Sequence, residues 1–436
     1  MNFKRKLAIT AASAALLGAF APQTGYVAEA QNIDVDAEAS ILVDFNTGQI
    51  LHGNKIDEPM GIASMSKMMV EYILFEEIEA GNLSWDTEVT ISDYAYSISQ
   101  DYELSNVPLI YGGSYTLQEM YEALAIYSAN GATIAIAEAI SGSESAFVDR
   151  MTSTAESFGI TDATFVNSSG LNNEDLQGNI YPGSSETDEN MMSARSAAIV
   201  ANRIISDYPE ILETASVPSM PFQVGPEETL EMVNWNWMLE GLIAERPGVD
   251  GLKTGTTDFA GSTFTGTAVE NDRRLITVVL NSGEDNITRF YETDRLLDFG
   301  FNNWSMQNVT ENWEEGLEYE PLTVTNGKEE TVNFEPGGEL EMLLQLSDNV
   351  GEDVNYSIEW NPDIVTEDGT IEAPVAKGIE LGQLVVEYSG NEHGNLDGGS
   401  APSVSLVTTE AVEKAGIFTQ AWNWVKDFVG SIVDRF

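Results

Sequence analysis

The chain has 436 residues, enough for more than one domain, and its 71 Asp and Glu against 19 Lys and Arg give a formal net charge of −52. An excess of that size excludes nucleic acid as a partner, because that interaction depends on lysine and arginine against phosphate. There is no cysteine and there are only two histidines, so thiol nucleophiles and disulfides are absent and conventional bases are scarce.

Lys4-Arg5-Lys6, an apolar run from Leu7 to Ala21 and Val27-Ala28-Glu29-Ala30 have the three parts of a secretory signal over residues 1–30, with cleavage expected after Ala30. The run is shorter than the ~20 residues that a membrane span needs. His52, within Ile50 to Asn54, reads as part of a turn between strands; His52 and His393 both read as exposed loop residues. Ser64 to Ala80 is rich in helix formers and is followed by Gly81, a natural helix stop. Ser128-Ala129-Asn130 precedes a helical run from Ala132 to Ile140, and Lys253-Thr254-Gly255 reads as part of a strand. From Asn303 to Glu387, short apolar runs between Gly, Asn and Asp turns predict a small β-sandwich over 303–389. The Gly/Ser/Asn-rich stretch that follows reads as a flexible linker over 390–410. Ile417, Phe418, Ala421, Trp422, Val425, Phe428, Val429, Ile432, Val433 and Phe436 recur at three-to-four spacing, which predicts an amphipathic helix within 411–436. Such a helix could lie in a membrane surface or dock on the β domain.

The chemistry sits in three short runs. A serine hydroxyl attacks a carbonyl only if a neighbouring group takes its proton. No Gly-x-Ser-x-Gly elbow is present, and with both histidines read as loop residues a lysine is the candidate base. In Ser64-Met65-Ser66-Lys67, serine and lysine are three apart and share a helix face. Ser64 opens that helix, where free N–H groups favour a developing oxyanion. A lysine base needs a depressed pKa, which desolvation or a second cation such as Lys253 would supply. Each run alone has an ordinary reading: Ser64 as a helix cap, Ser128 to Asn130 as a polar break, Lys253 to Gly255 as a hairpin strand.

Taken together, the three runs resemble serine-type D-alanyl-D-alanine carboxypeptidases, the low-molecular-mass penicillin-binding proteins. The resemblance extends to Ala39 to Asp44 and Thr47 to Leu51, similar to the family's opening hairpin, to Asn167-Ser168-Ser169-Gly170-Leu171, to Met192-Ser193-Ala194-Arg195 and to the block from Val249 to Thr256, with Ala260-Gly261, Arg274-Leu275-Ile276 and Leu296 to Phe301 beyond it. It implies an α/β (α+β) penicillin-binding/β-lactamase-like domain over 31–302, a mainly antiparallel sheet flanked by helices, followed by the small all-β domain and the C-terminal helix. It also implies roles. Ser64 is the acyl-accepting nucleophile and Lys67 its base; Ser128 shuttles a proton and Asn130 orients the substrate amide. Lys253, Thr254, Gly255 and Thr256 line the opposite wall, the N–H groups of Ser64 and Thr256 form an oxyanion hole, and Arg289 meets the substrate carboxylate. Two positions depart from the pattern: Ser196 stands where an acidic residue is usual, and Trp235 where some relatives carry a second arginine.

The resulting expectation is an exported enzyme at the outer face of the membrane, held there by its last helix. It would trim the terminal D-alanine from peptidoglycan stem peptides, be acylated by β-lactam antibiotics, and need no metal or cofactor. A β-lactamase would require a deacylating Glu-x-x-Leu-Asn run, which is absent. A non-catalytic wall-binding protein is disfavoured by the intact Ser64, Lys67, Asn130 and Lys253. An endopeptidase acting on cross-links shares every motif. The acidic composition suits a salty or alkaline exterior.

Overall fold

The computed structural model describes residues 33–416 except 226, 284, 312 and 318. Residues 1–30, expected to be a secretory signal, and the run from Ile417 onward, expected to be an amphipathic helix, therefore lie outside the described residues.

A five-stranded sheet organises the larger domain, in the order Ile50–Asn54, Ala39–Asp44, Arg273–Leu280, Gly261–Glu270, Val249–Thr257, every pair antiparallel. Successive side chains of a strand point to opposite faces, and the apolar residues divide accordingly. Ile41, Val43, Ile276, Val278 and Leu280 join one core cluster, while Leu42, Leu275, Val279 and Phe264 join another. Because both faces are covered, Ala39–Asp44 is buried throughout and reads as a continuous apolar run instead of an alternation. Helix Ala194–Asp207 packs on the first face and Thr288–Asn303 on the second.

Beyond the first face lies a helical layer centred on Lys67–Glu79, which packs against Asn130–Ser141, Glu144–Ser157 and Ala194–Asp207. Every residue of this helix from Lys67 to Phe75 is buried, as expected of a helix with neighbours all round. It ends as the sequence indicates, with Ala80 as C-cap and Gly81 in the left-handed conformation at φ +72°.

The smaller domain consists of short sheets: Phe334–Pro336, Ser403–Thr408, Glu380–Tyr388 and Val354–Trp360 in one, Thr331–Val332, Leu322–Thr325 and Thr370–Glu372 in another, with a further pair, Trp304–Asn308 and Glu341–Gln345. Val324, Val332, Ile371, Leu384, Val386 and Leu406 share a core that is continuous with Phe290, Leu296 and Leu297 of the Thr288–Asn303 helix. The two domains thus pack through one apolar cluster.

Three expectations need correction. Ser403–Thr408 is no linker: it is an interior strand between Phe334–Pro336 and Glu380–Tyr388, and Leu406 is fully buried. The Gly- and Asn-rich composition upstream masks the alternating Ser403-Val404-Ser405-Leu406 pattern. Residues 411–416 are not helical either, since Val412 bridges to Val375 and Lys414 to Gly327. Finally, His52 lies within a strand, buried, its Nε2 3.1 Å from Ser40 Oγ. Burial and the nearby His393 lower its pKa to about 4. His393 is half-buried in a loop that packs on the edge of the main sheet, where Ile50 N donates to Gly394 O and Leu396 N to Gly48 O.

If Ser403–Thr408 is a core strand, Leu406→Ala should cost about 2–5 kcal/mol, the usual loss for truncating a buried leucine. Urea unfolding measures it; a change below about 1 kcal/mol would restore the linker reading.

Candidate active site

Ser64 lies in the 3₁₀ turn Ala63–Ser66, which runs straight into the Lys67–Glu79 helix. Between Gly61 and Phe75, Ser64 alone is not buried. The turn is tightly determined. Ala63 adopts a left-handed φ of +46° without being glycine, a conformation that persists only when its surroundings enforce it. Ser66 Oγ donates to Ala63 O at 2.7 Å, and Asn190 Nδ2 donates to Ser66 Oγ at 2.8 Å.

One turn on, Lys67 is completely buried. Its Nζ lies 2.8 Å from Ser64 Oγ, 2.8 Å from Asn130 Oδ1 and 2.6 Å from Ser169 O, so three acceptors meet three ammonium protons. Desolvation first, and the Lys253 cation second, push its pKa well below the usual lysine range, against the opposing pull of Glu71 and Glu144. When the amine is neutral, the Ser64 contact can reverse, with the hydroxyl donating to the nitrogen.

Ser128 follows the helix Leu117–Tyr127 in a left-handed conformation, φ +57°, and its Oγ accepts from Lys253 Nζ at 2.9 Å. Asn130 begins the next helix, with both its backbone N and its Nδ2 donating to Ser105 O at 3.0 Å. Its amide is thereby oriented with Oδ1 toward Lys67. Lys253, Thr254, Gly255 and Thr256 lie on Val249–Thr257, the end strand of the main sheet. Gly255 is required by close approach: a Cβ there would stand 2.6 Å from Ile62 O and 3.0 Å from the Ala63 Cβ. The strand therefore rests directly on the turn that carries Ser64. Burial, with a contribution from Arg289, lowers the Lys253 pKa to about 8, while Glu71 opposes the shift.

Arg289 is not a solvated surface residue. It is buried behind the strand, its Nη1 donating to Gly255 O at 2.7 Å, Thr256 Oγ1 at 2.9 Å and Thr263 O at 3.1 Å. Burial lowers its pKa to about 10, so it remains a cation at neutral pH. Trp235 donates from its indole N–H to Tyr127 O at 3.0 Å and so braces the chain just before Ser128.

Several contributors escape the sequence reading. Glu71, one helical turn after Lys67, is buried, and desolvation raises its pKa to about 7 against the pull of Lys253 and Lys67. It has a sequence signal, an acidic residue on the Lys67 face of a helix that is otherwise apolar up to Phe75. Ser169, Asn190 and Ser105 act through backbone or amide contacts that leave no such signal. A separate cleft of about 990 Å³ at the domain junction, lined by Gln49, Arg195, Tyr388, His393 and Asn395 among others, includes none of the residues around Ser64.

Comparison with known proteins identifies the family. Residues 26–284 match the peptidase S11 family, described as D-alanyl-D-alanine carboxypeptidase. The chain belongs to that family. It is 28% identical to the D-alanyl-D-alanine carboxypeptidase DacF of Bacillus subtilis over 401 residues, covering 92% of each chain. To DacC of Escherichia coli it is 28% identical, covering 95% of this chain and 94% of the relative. Among solved structures, a peptidoglycan synthesis regulatory factor (PBP3) from Streptococcus pneumoniae superposes with a TM-score of 0.66 at 37% identity, covering 87% of this chain and all of that one, 100%. Penicillin-binding protein D2 from Listeria monocytogenes, in its cefotaxime-bound form, aligns with 62% of this chain and 99% of its own at a TM-score of 0.51 and 27% identity.

The turn that carries Ser64 places a strict demand on Gly170, whose φ is +78° and whose added Cβ would fall 1.8 Å from Ala63 O. Gly170→Ala should displace both the Ser64 turn and the Ser169 carbonyl. A loss of about a hundredfold in acylation by a labelled penicillin is expected, the scale of an ångström-level misplacement. Wild-type acylation in Gly170→Ala would show that the turn tolerates movement.

Proposed function

We propose that this protein removes the terminal D-alanine from peptidoglycan stem peptides through an acyl-enzyme on Ser64, and that penicillins acylate the same hydroxyl. The observation that carries the reading is the fully buried Lys67 with its Nζ 2.8 Å from the hydroxyl of the partly exposed Ser64.

In this mechanism neutral Lys67 takes the Ser64 proton as Oγ attacks the carbonyl carbon of the penultimate D-alanine. The new oxyanion is met by the N–H groups of Ser64 and Thr256. The peptide C–N bond then breaks, and the leaving nitrogen receives through Ser128 Oγ, which Lys253 backs at 2.9 Å, the proton that Lys67 took, so that Lys67 is neutral again. Free D-alanine departs. Water attacks the ester, giving up a proton toward Lys67, and Ser64 leaves as the hydroxyl. Asn130 orients the scissile amide. The Arg289 cation lies behind Thr256, to which it donates, and so sets a positive potential where the substrate's terminal carboxylate would lie.

Four measurements test this reading. Mass analysis of a pentapeptide stem incubated with the protein should reveal a tetrapeptide and free D-alanine, and an intact stem would overturn the activity. Labelling by fluorescent penicillin should vanish in Ser64→Ala; an adduct on that variant would place the nucleophile elsewhere. Lys67→Ala should lose several orders of magnitude in acylation rate while remaining folded, and Lys67→Arg should not restore it, because arginine stays protonated at any workable pH. In wild type the acylation rate should rise with pH as Lys67 loses its proton, then reach a plateau.

We further place the protein outside the cytoplasmic membrane, released from its first thirty residues and held peripherally by the run from Ile417 to Phe436. Phe418, Trp422, Phe428 and Phe436 fall on its apolar stripe, and binding would rest on apolar area more than on charge. Since Val412 and Lys414 still pair with the β domain, deletion should begin at Ile417. Removing 417–436 is expected to abolish liposome sedimentation with peptide hydrolysis unchanged; equal sedimentation would mean that the segment docks on the protein.

A further inference from the structure

The geometry points to Glu144 as a positioning residue for Lys67: through Ser168 it holds the Asn167–Leu171 turn whose Ser169 carbonyl fixes the lysine amine. This rests on the reading of Lys67 as the base.

Glu144 is the first residue of the helix Glu144–Ser157, behind the N-cap Ser143, and it is buried. An acidic residue in a first helical turn is ordinary on a surface, where the dipole favours it. Burial is not ordinary, because a desolvated carboxylate needs donors. Here it has three. Oε1 accepts from Ser168 N at 2.9 Å and from Ser168 Oγ at 2.6 Å, and Oε2 accepts from Tyr94 Oη at 2.8 Å. All three come from outside its own helix. Two converge on Ser168, the residue before the one whose carbonyl lies 2.6 Å from Lys67 Nζ, the shortest of that amine's three contacts.

The rest of the turn is held from its other side. Asn167 Oδ1 accepts from Gly170 N at 2.7 Å, and Asn190 Nδ2 donates to Asn167 O at 2.9 Å and to Ser66 Oγ at 2.8 Å. Asn190 thus ties the turn to the Ser64 loop, whereas Glu144 ties it to the helical layer. Without the Glu144 carboxylate, Ser168 would lose the acceptor of both its backbone N–H and its hydroxyl, and the turn that carries the Ser169 carbonyl would lose its tie to the helical layer.

The carboxylate also acts through its charge. The charged groups facing Lys67 are Lys253 from the sheet, Glu71 from its own helix and Glu144 from the neighbouring helix. Around Glu144 itself stand Tyr94, Lys67 and, more distantly, Glu138. A negative charge near Lys67 favours its protonated form, so removing that charge makes the amine easier to deprotonate. A purely structural brace would have no such effect.

The test is the pH profile of acylation by a fluorescent penicillin, measured on the full chain for wild type, Glu144→Asp and Glu144→Gln, with thermal melts of each. Glu144→Asp keeps the charge but withdraws it by one methylene, so the plateau rate should fall about ten- to a hundredfold with the acid limb in place. Glu144→Gln keeps the size and an acceptor for Ser168 but loses the charge, so its acid limb should move about one pH unit lower, a tenfold change on that limb relative to the plateau. Profiles that overlay wild type would overturn the proposal, as would a Glu144→Gln profile lowered uniformly with its limb unmoved. Loss of cooperative melting in both variants would assign Glu144 to stability alone and overturn it too. Normal acylation by Lys67→Ala would instead overturn the base assignment; a dead Lys67→Ala beside an unmoved Glu144→Gln limb refutes only the role of Glu144.

Discussion

The site depends on burying one lysine amine completely beneath a serine that solvent can reach. An isolated ammonium in a protein interior carries a heavy desolvation cost. Lys67 meets that cost with three acceptors at 2.6–2.8 Å and with two carboxylates, Glu71 and Glu144, arranged around it. The same burial depresses its pKa, which is the property a lysine base requires. A surface Ser-x-x-Lys would have the spacing without the chemistry.

Much of the surrounding backbone follows from that requirement. For three acceptors to converge on one nitrogen, the Asn167–Leu171 turn must press on Ala63, and the strand bearing Lys253 must lie against Ile62 and Ala63. Both approaches are closer than a side chain permits, so Gly170 and Gly255 occupy them. Ala63 and Ser128 adopt left-handed conformations at the two points where the chain enters the site. Strain of this kind, on the order of 1–3 kcal/mol at each position, persists only in a well-packed frame. The all-buried Lys67 helix and the doubly covered sheet supply that frame.

The second cation follows the same logic. Lys253 is buried beside Ser128 and faces Glu71, so the cleft contains two lysines and one shared carboxylate, with Arg289 behind the strand. In the proposed reaction, each proton moved would change the balance of this cluster, which couples the two lysines through Glu71 even though their hydroxyl partners differ. Among the described residues, the smaller domain contributes no group to the cluster. It is joined through the apolar face of Thr288–Asn303, the helix that also carries Arg289, so its packing bears on the site through that helix.

By itself the sequence determined the reaction class, the order of the three motifs, the helix that follows the first of them, and the antiparallel domain with a β module behind it. Those features are local: a spacing of three on a helix, alternation in a strand, a glycine stop. It was also enough to name Ser64, Lys67, Ser128, Asn130 and Lys253 as one constellation, because their joint order is specific where each run alone is not. Only the tertiary structure decided what surrounds them. That His52 is a buried strand residue, that Ser403–Thr408 is a core strand, that Arg289 lies beneath Gly255 and that Ser169 offers its carbonyl to Lys67 are all results of separate chain segments meeting in space, 34 positions apart for Arg289 and Gly255 and 102 for Ser169 and Lys67. Backbone carbonyls carry no residue identity, and a buried glutamate has the same letter as the many exposed ones in so acidic a chain. The physical reason is that burial, and the pKa shifts that follow from it, belong to the packed molecule and not to any segment of it.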